Sequence, residues 1–166
     1  MGTEVVLPNQ AVQHGQVIQI GDVAFRMHHY GTAHTPSDLC VEVVQDKLTA
    51  VGDIAMGNRI ANMDEGSYPG TFKYYQALTA ATGDQLWVPG HGQGSQDLLK
   101  TYGEFMAGIW EPCLQAVKDG KSESEARNMV LKDGRVTSRA KTMQGFEGNI
   151  GKYISLAYLE AEKEAF

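Results

Sequence analysis

The chain has 166 residues, 42% hydrophobic and 20% charged, with a formal net charge of -6. That length suits one domain with its own core, or one half of a larger fold. Its few, scattered Lys and Arg argue against a nucleic-acid partner, because counterion release needs a clustered basic face.

Residues Met1 to Pro8 have no basic start and no long apolar stretch, so they do not read as a secretory signal. No later apolar run is long enough to span a bilayer, and the expectation is a cytoplasmic chain without a membrane partner. The first third reads as strands. Thr3 to Leu7 is β-rich, and Gln16 to Ile20 and Val23 to His28 alternate on either side of Gly21-Asp22, which predicts a hairpin. Leu39 to Val44 and Leu48 to Val51 follow, joined by the polar turn Gln45-Asp46-Lys47. From Gly52 to Ser67 the chain is rich in Gly, Asn and Asp without a sustained period, which predicts a long loop of the kind that carries function.

A helix should begin near Pro69, turn Phe72, Tyr75 and Leu78 to one side, and end at Thr82-Gly83-Asp84. Leu86-Trp87-Val88 reads as a short buried strand. From Gln96 the pattern becomes helical through Val117, with Pro112 expected to kink the helix or start a second segment and Gly120 to stop it. Ser122-Glu123-Ser124-Glu125 reads as a capping box, and Ile150, Tyr153, Ile154, Ala157 and Tyr158 mark a terminal helix. The organisation is a single domain, with residues 1–95 mainly sheet and ligand-bearing loops and residues 96–166 helical. Cys40 and Cys113 stand in no Cys-x-x-Cys pair, so each is expected to pack in the core rather than bind zinc or pair.

Three phrases place metal-ligand side chains at strand ends: Ala33-His34-Thr35-Pro36-Ser37-Asp38, Val51-Gly52-Asp53 and Pro89-Gly90-His91-Gly92. Thr35-Pro36 turns the backbone away and exposes the His34 imidazole at a sheet edge. Asp53 ends a strand, where one carboxylate can give an oxygen to each of two cations. Glycines flanking His91 let backbone and metal approach closely. Taken singly, each also suits a plain loop or turn. His28 and His29 are adjacent on a strand and point to opposite faces, so a private site with His34 would need a bulge. His14, before Gly15 in a polar turn, is expected to be solvated. Asn58, Arg59, Asn62 and Tyr68, with Tyr74 and Tyr75, could line a pocket above the metal positions or simply pack.

In this order the three phrases resemble the second half of a metallo-β-lactamase-fold zinc hydrolase. The resemblance implies that His34 belongs to one zinc ion, His91 to the other, and Asp53 bridges them, with Asp38 holding the His34 loop from behind. It departs from the pattern at Ser37, where Gly is usual, and no grouping of the five histidines forms the upstream His-x-His-x-Asp-His. A catalytic zinc takes three protein ligands and one open position, and this chain offers at most two per metal, so no residue is assigned as catalytic.

The fold class implied is α/β (α+β), half of an αββα sandwich: one mixed or antiparallel sheet with helices on one face and an apolar, bare opposite face. Such a face needs a partner, either a second copy packed sheet to sheet or an N-terminal half. Three readings follow: a half of a zinc hydrolase of ester, thioester or lactam bonds, inactive by itself; a non-catalytic homodimer; or a dimer that builds a new metal site between chains.

Overall fold

A computed structural model describes residues 2, 4–83 and 85–165. Five strands, β1 (Val17–Ile20), β2 (Val23–His28), β3 (Cys40–Val43), β4 (Leu48–Gly52) and β5 (Leu86–Pro89), form one sheet in chain order. The first three pairings are antiparallel and β4–β5 is parallel, with α1 (Tyr68–Thr82) as the crossover between them. The helices α2 (Leu98–Lys118), α3 (Glu123–Val130), α4 (Gly134–Thr137) and α5 (Phe146–Ala165) follow. The hairpin turns at Gly21-Asp22 with Ile20 opposite Val23, and the β3–β4 turn closes through Lys47 in the left-handed region (φ 49°).

Several expectations change. Residues 4–7 form no strand, and Val5, Val6 and Leu7 are 77–86% exposed, while Thr3 lies outside the described residues. β-Propensity without a ladder to join does not make a strand. Of the two alternatives at Pro112, a second segment is not formed, since α2 runs through it as one element of 21 residues. The connection before α5 holds the one-turn α4, capped by the Asp133 carboxylate on the Arg135 N–H. The expected end of α1 reaches Gly83, and Asp84 lies outside the described residues.

Strand register sorts the sheet into two unlike faces. Arg26, His28, Cys40, Glu42, Thr49, Val51 and Trp87 share one face. All of these but Arg26 are buried, in a core completed by the helices. The opposite face carries Ile18, Ile20, Val23, Phe25, Met27, Val41, Val43, Leu48, Ala50, Leu86 and Val88. Every one of these is apolar, yet only Met27 is buried, and Ile20 is 64% exposed.

Beneath the helices, the polar groups are paired. Glu42 accepts from Arg26 at 3.1 Å and lies 2.8 Å from His28 Nε2. Of the two readings open for Tyr68, pocket lining or packing, the structure takes packing: it is fully buried, its ring stacks on Trp110 at 5.7 Å, and its hydroxyl donates to the Tyr153 carbonyl at 3.0 Å. Tyr74 is also fully buried and donates to the carbonyls of His28 (2.8 Å) and Asp38 (3.3 Å). Tyr75 bonds the Ile54 carbonyl. These side chains serve the core because each buried hydroxyl finds a backbone oxygen to donate to. Cys40 and Cys113 are buried free thiols, pushed up to about 12 chiefly by desolvation. At the start of α1, the Ser67 side chain accepts from Gly70 N–H, and the Glu160 carboxylate of α5 accepts from the Tyr68 N–H at 2.7 Å.

Candidate metal centre

The C-terminal ends of β4 and β5 and the loop after β2 meet at one edge of the sheet. Asp53 follows Gly52, whose φ of 57° turns the chain out of β4, and Gly90 follows β5 directly. A side chain on Gly90 would collide with the Asp53 carboxylate, so the glycine makes room for it. Gly92, at φ 86°, packs backbone to backbone on Gly57, and Gly57 N–H donates to the His91 carbonyl at 2.9 Å. The glycines around His91 therefore hold two loops in contact.

His34, Asp53 and His91 are brought together. His34 Nε2 lies 4.0 Å from Asp53 Oδ2, and His91 Nε2 lies 3.6 Å from Asp53 Oδ1. Both separations exceed a hydrogen bond, and each imidazole faces a different oxygen of the same carboxylate. Ligand atoms that share a tetrahedral zinc at about 2.0–2.2 Å stand roughly 3.4 Å apart; the His91–Asp53 pair at 3.6 Å is close to that spacing, and the His34–Asp53 pair at 4.0 Å is wider. Were cations to bind at this edge, His34, Asp53 and His91 would offer no more than two donors to either of two ions. Among the described residues no group of three or more His, Cys, Asp or Glu side chains could hold a metal ion.

Asp38 anchors this edge. Its Oδ2 accepts from the N–H groups of His34 (2.6 Å) and Thr35 (2.7 Å), and its Oδ1 accepts from the Thr35 hydroxyl (2.9 Å). Its carbonyl lies 2.7 Å from His29 Nδ1 and also accepts from Tyr74. Three bonds to one carboxylate fix the turn that presents His34. Ser37, in place of the usual Gly, donates its N–H to Thr35 Oγ1 at 3.3 Å, so the turn accommodates it.

The other histidines lie elsewhere. His28 is buried against Glu42, His29 is tied to Asp38, and exposed His14 accepts the His29 N–H and meets Tyr30 edge to face at 4.8 Å. Of the remaining loop residues, Asn62 lines a shallow cleft with His34, Thr35, Asp64 and Glu65. Asn58 lines a second groove with Gly92, Gln144 and Arg139, and Arg59 pairs its backbone with Gln144 while its Nε is buried without a partner. The sequence reading missed Thr35, Tyr74 and Gly90 as supports. Thr35 and Gly90 stood inside the phrases already singled out, whereas Tyr74 reaches its partners only through the fold.

No protein-family model and no curated protein sequence matches the chain. Solved structures do. A metallo-β-lactamase from Pontibacter korlensis is 21% identical, with a TM-score of 0.51 over 56% of this chain and 46% of that one. The stereoselective inverting sec-alkylsulfatase Pisa1 from Pseudomonas sp. is 16% identical, with a TM-score of 0.73 over 93% of this chain and 26% of the sulfatase. A double mutant of the same sulfatase gives 0.75 with equal coverage. This chain thus spans between 26% and 46% of the length of these neighbours. At such identities the likeness shows the fold.

Proposed function

Since the chain has the metallo-β-lactamase fold over part of its neighbours' length, we propose that it supplies one side of a two-zinc hydrolase site. It contributes His34 to one ion, His91 to the other and Asp53 to both. The observation that carries this reading is the bridging posture of Asp53, with its two oxygens addressed separately by the two imidazoles. Zinc bound there supplies Lewis acidity and lowers the pKa of water toward neutrality. The chain's own work is positional: Asp38 fixes the backbone of His34, and the Gly57–Gly92 contact fixes that of His91.

Two donors per ion leave each ion short of a closed site, so the chain by itself hydrolyses nothing and waits for a second half bearing His-x-His-x-Asp-His. That half would lie on the apolar sheet face. The bonds in question are esters, thioesters or lactams, and the sulfatase among the neighbours adds sulfate esters to the class. Among the described residues no helix is long and apolar enough to cross a membrane. Zinc content after dialysis against trace metal, followed by model-ester hydrolysis with and without an N-terminal half, tests the reading. The expected result is weak zinc retention and activity only with the half, lost in Asp53→Ala. Chelator-sensitive hydrolysis by the chain alone would overturn it.

The open apolar face supports a second reading, a homodimer packed sheet to sheet over more than about 2,000 Å² in total. It serves binding rather than catalysis, or sets two Asp53 clusters into a new site between chains. Light scattering separates these: a monomer removes both dimer readings, and a metal-free dimer removes the shared site.

A further inference from the structure

Beyond His91 the chain leaves a groove of about 660 Å³ that the two-zinc reading does not use. Gly57 and Gly92 form its boundary with the metal edge, and Gly57 is hydrogen-bonded to the His91 carbonyl. Asn58, Gln93, Ser95, Thr101 and Gln144 line it with neutral amides and hydroxyls, and Arg139 brings a cation. No Asp or Glu lines it, although the chain as a whole is acidic.

Arg139 also differs from the arginines that the fold uses for itself. Arg26 is paired with Glu42, and Arg135 with Glu111 and Asp133. Half-buried Arg139, like Arg59 and Arg127, has no side-chain hydrogen bond or ion pair among the described residues, and of these three only Arg139 lines the groove. A guanidinium is always charged and presents a fork of donors matched to two oxygens of one anion. Surrounding amides and hydroxyls add donors without adding negative charge.

We propose that this groove receives the oxyanion group of a small-molecule substrate, a carboxylate, sulfate or phosphate, clamped by Arg139 while the rest of the molecule reaches the Asp53 edge. The substrate role rests on the two-zinc reading, but oxyanion binding does not. The test is therefore run on the whole metal-free chain. Amide shifts of Thr101, Thr142 and Gln144 are followed by NMR during titration with sodium sulfate, phosphate or acetate, each against sodium chloride at matched ionic strength.

The expected result is saturable movement confined to the groove, with a Kd on the order of 1 mM, weakened about tenfold in Arg139→Gln. Arg139→Lys, which keeps the charge but loses the fork, should fall between, and Arg127→Gln on α3 should bind as the parent does. The preferred anion shows which oxyanion the groove suits. Shifts that match those of chloride, spread over the surface, or persist in Arg139→Gln would overturn the proposal. A failure here leaves the zinc and complementation results untouched, and a failure there leaves the titration untouched.

Discussion

Glu42 and Val43 are neighbours on β3, and they belong to opposite worlds. Glu42 points under the helices, is 4% exposed, and holds both Arg26 and His28. Val43 points to the open face, opposite Phe25 and Leu48, in a field with no polar side chain. The sheet thus hides its charges and leaves its grease half uncovered, the reverse of an ordinary two-layer protein whose outer face is solvated. The polar groups on the covered face are satisfied within the chain. The open face is only partly covered by the described residues.

The contrast is broken most severely at Glu42. Glu42→Ala leaves Nε2 of the buried His28 unpaired, although Nδ1 keeps the Tyr30 hydroxyl, and should cost about 2–3 kcal/mol of stability, read as a lowered urea midpoint with an unchanged slope. Alkaline titration tests the same covered layer without mutation. The thiols of Cys40 and Cys113 and the Tyr153 hydroxyl are pushed up to about 12 chiefly by burial, and Tyr68, Tyr75 and Tyr102 move in the same direction for the same reason. An acid with a raised folded pKa binds its proton more tightly in the native state. Stability is therefore full below the ordinary thiol and phenol values, 9.0 and 10.0, and falls as pH rises from there toward 12. The measurement is the denaturant midpoint between pH 8 and 11 (roughly, to span those ordinary values). Neither thiol should react with a disulfide reagent until the chain unfolds.

At the metal edge, Asp38→Ala removes three bonds from a partly buried turn and should cost about 1–2 kcal/mol. It should also weaken zinc binding when a complementing half is present, while circular dichroism of the helices stays unchanged. The smallest effect on stability is expected across the strand from the first. Val43→Asp should shift the folding free energy of the monomer by no more than about 0.5 kcal/mol, yet abolish association through the open face in light scattering. A large loss of monomer stability would show that the face is covered within the chain, and the comparison would collapse.

Local signals made much of this legible in advance. The Gly21-Asp22 hairpin and the Ser122–Glu125 capping box are written within a few residues, and both form. The three phrases single out His34, Asp53 and His91, and the fold gathers these side chains at one edge. What failed depended on distant partners. Residues 4–7 look like a strand but have no neighbour to pair with. Tyr68 and Tyr74 sit beside a ligand-rich loop in sequence, but their hydroxyls end on Tyr153 and His28, 85 and 46 residues away. Asp133 is an ordinary helix cap, but its helix is a single turn, too short to show a period in the sequence.

One contact bears on when the site can exist at all. The loop that leaves Asp53 ends at Ser67 and Tyr68, and both are held by Glu160 of α5. Closing a contact across more than 90 residues is a late event in folding, because its loop entropy must be met before the contact adds any stability. During synthesis, His34, Asp53 and His91 all emerge well before Glu160. A nascent chain therefore holds His34, Asp53 and His91 without the frame that spaces them, and the order of translation defers their arrangement until α5 docks.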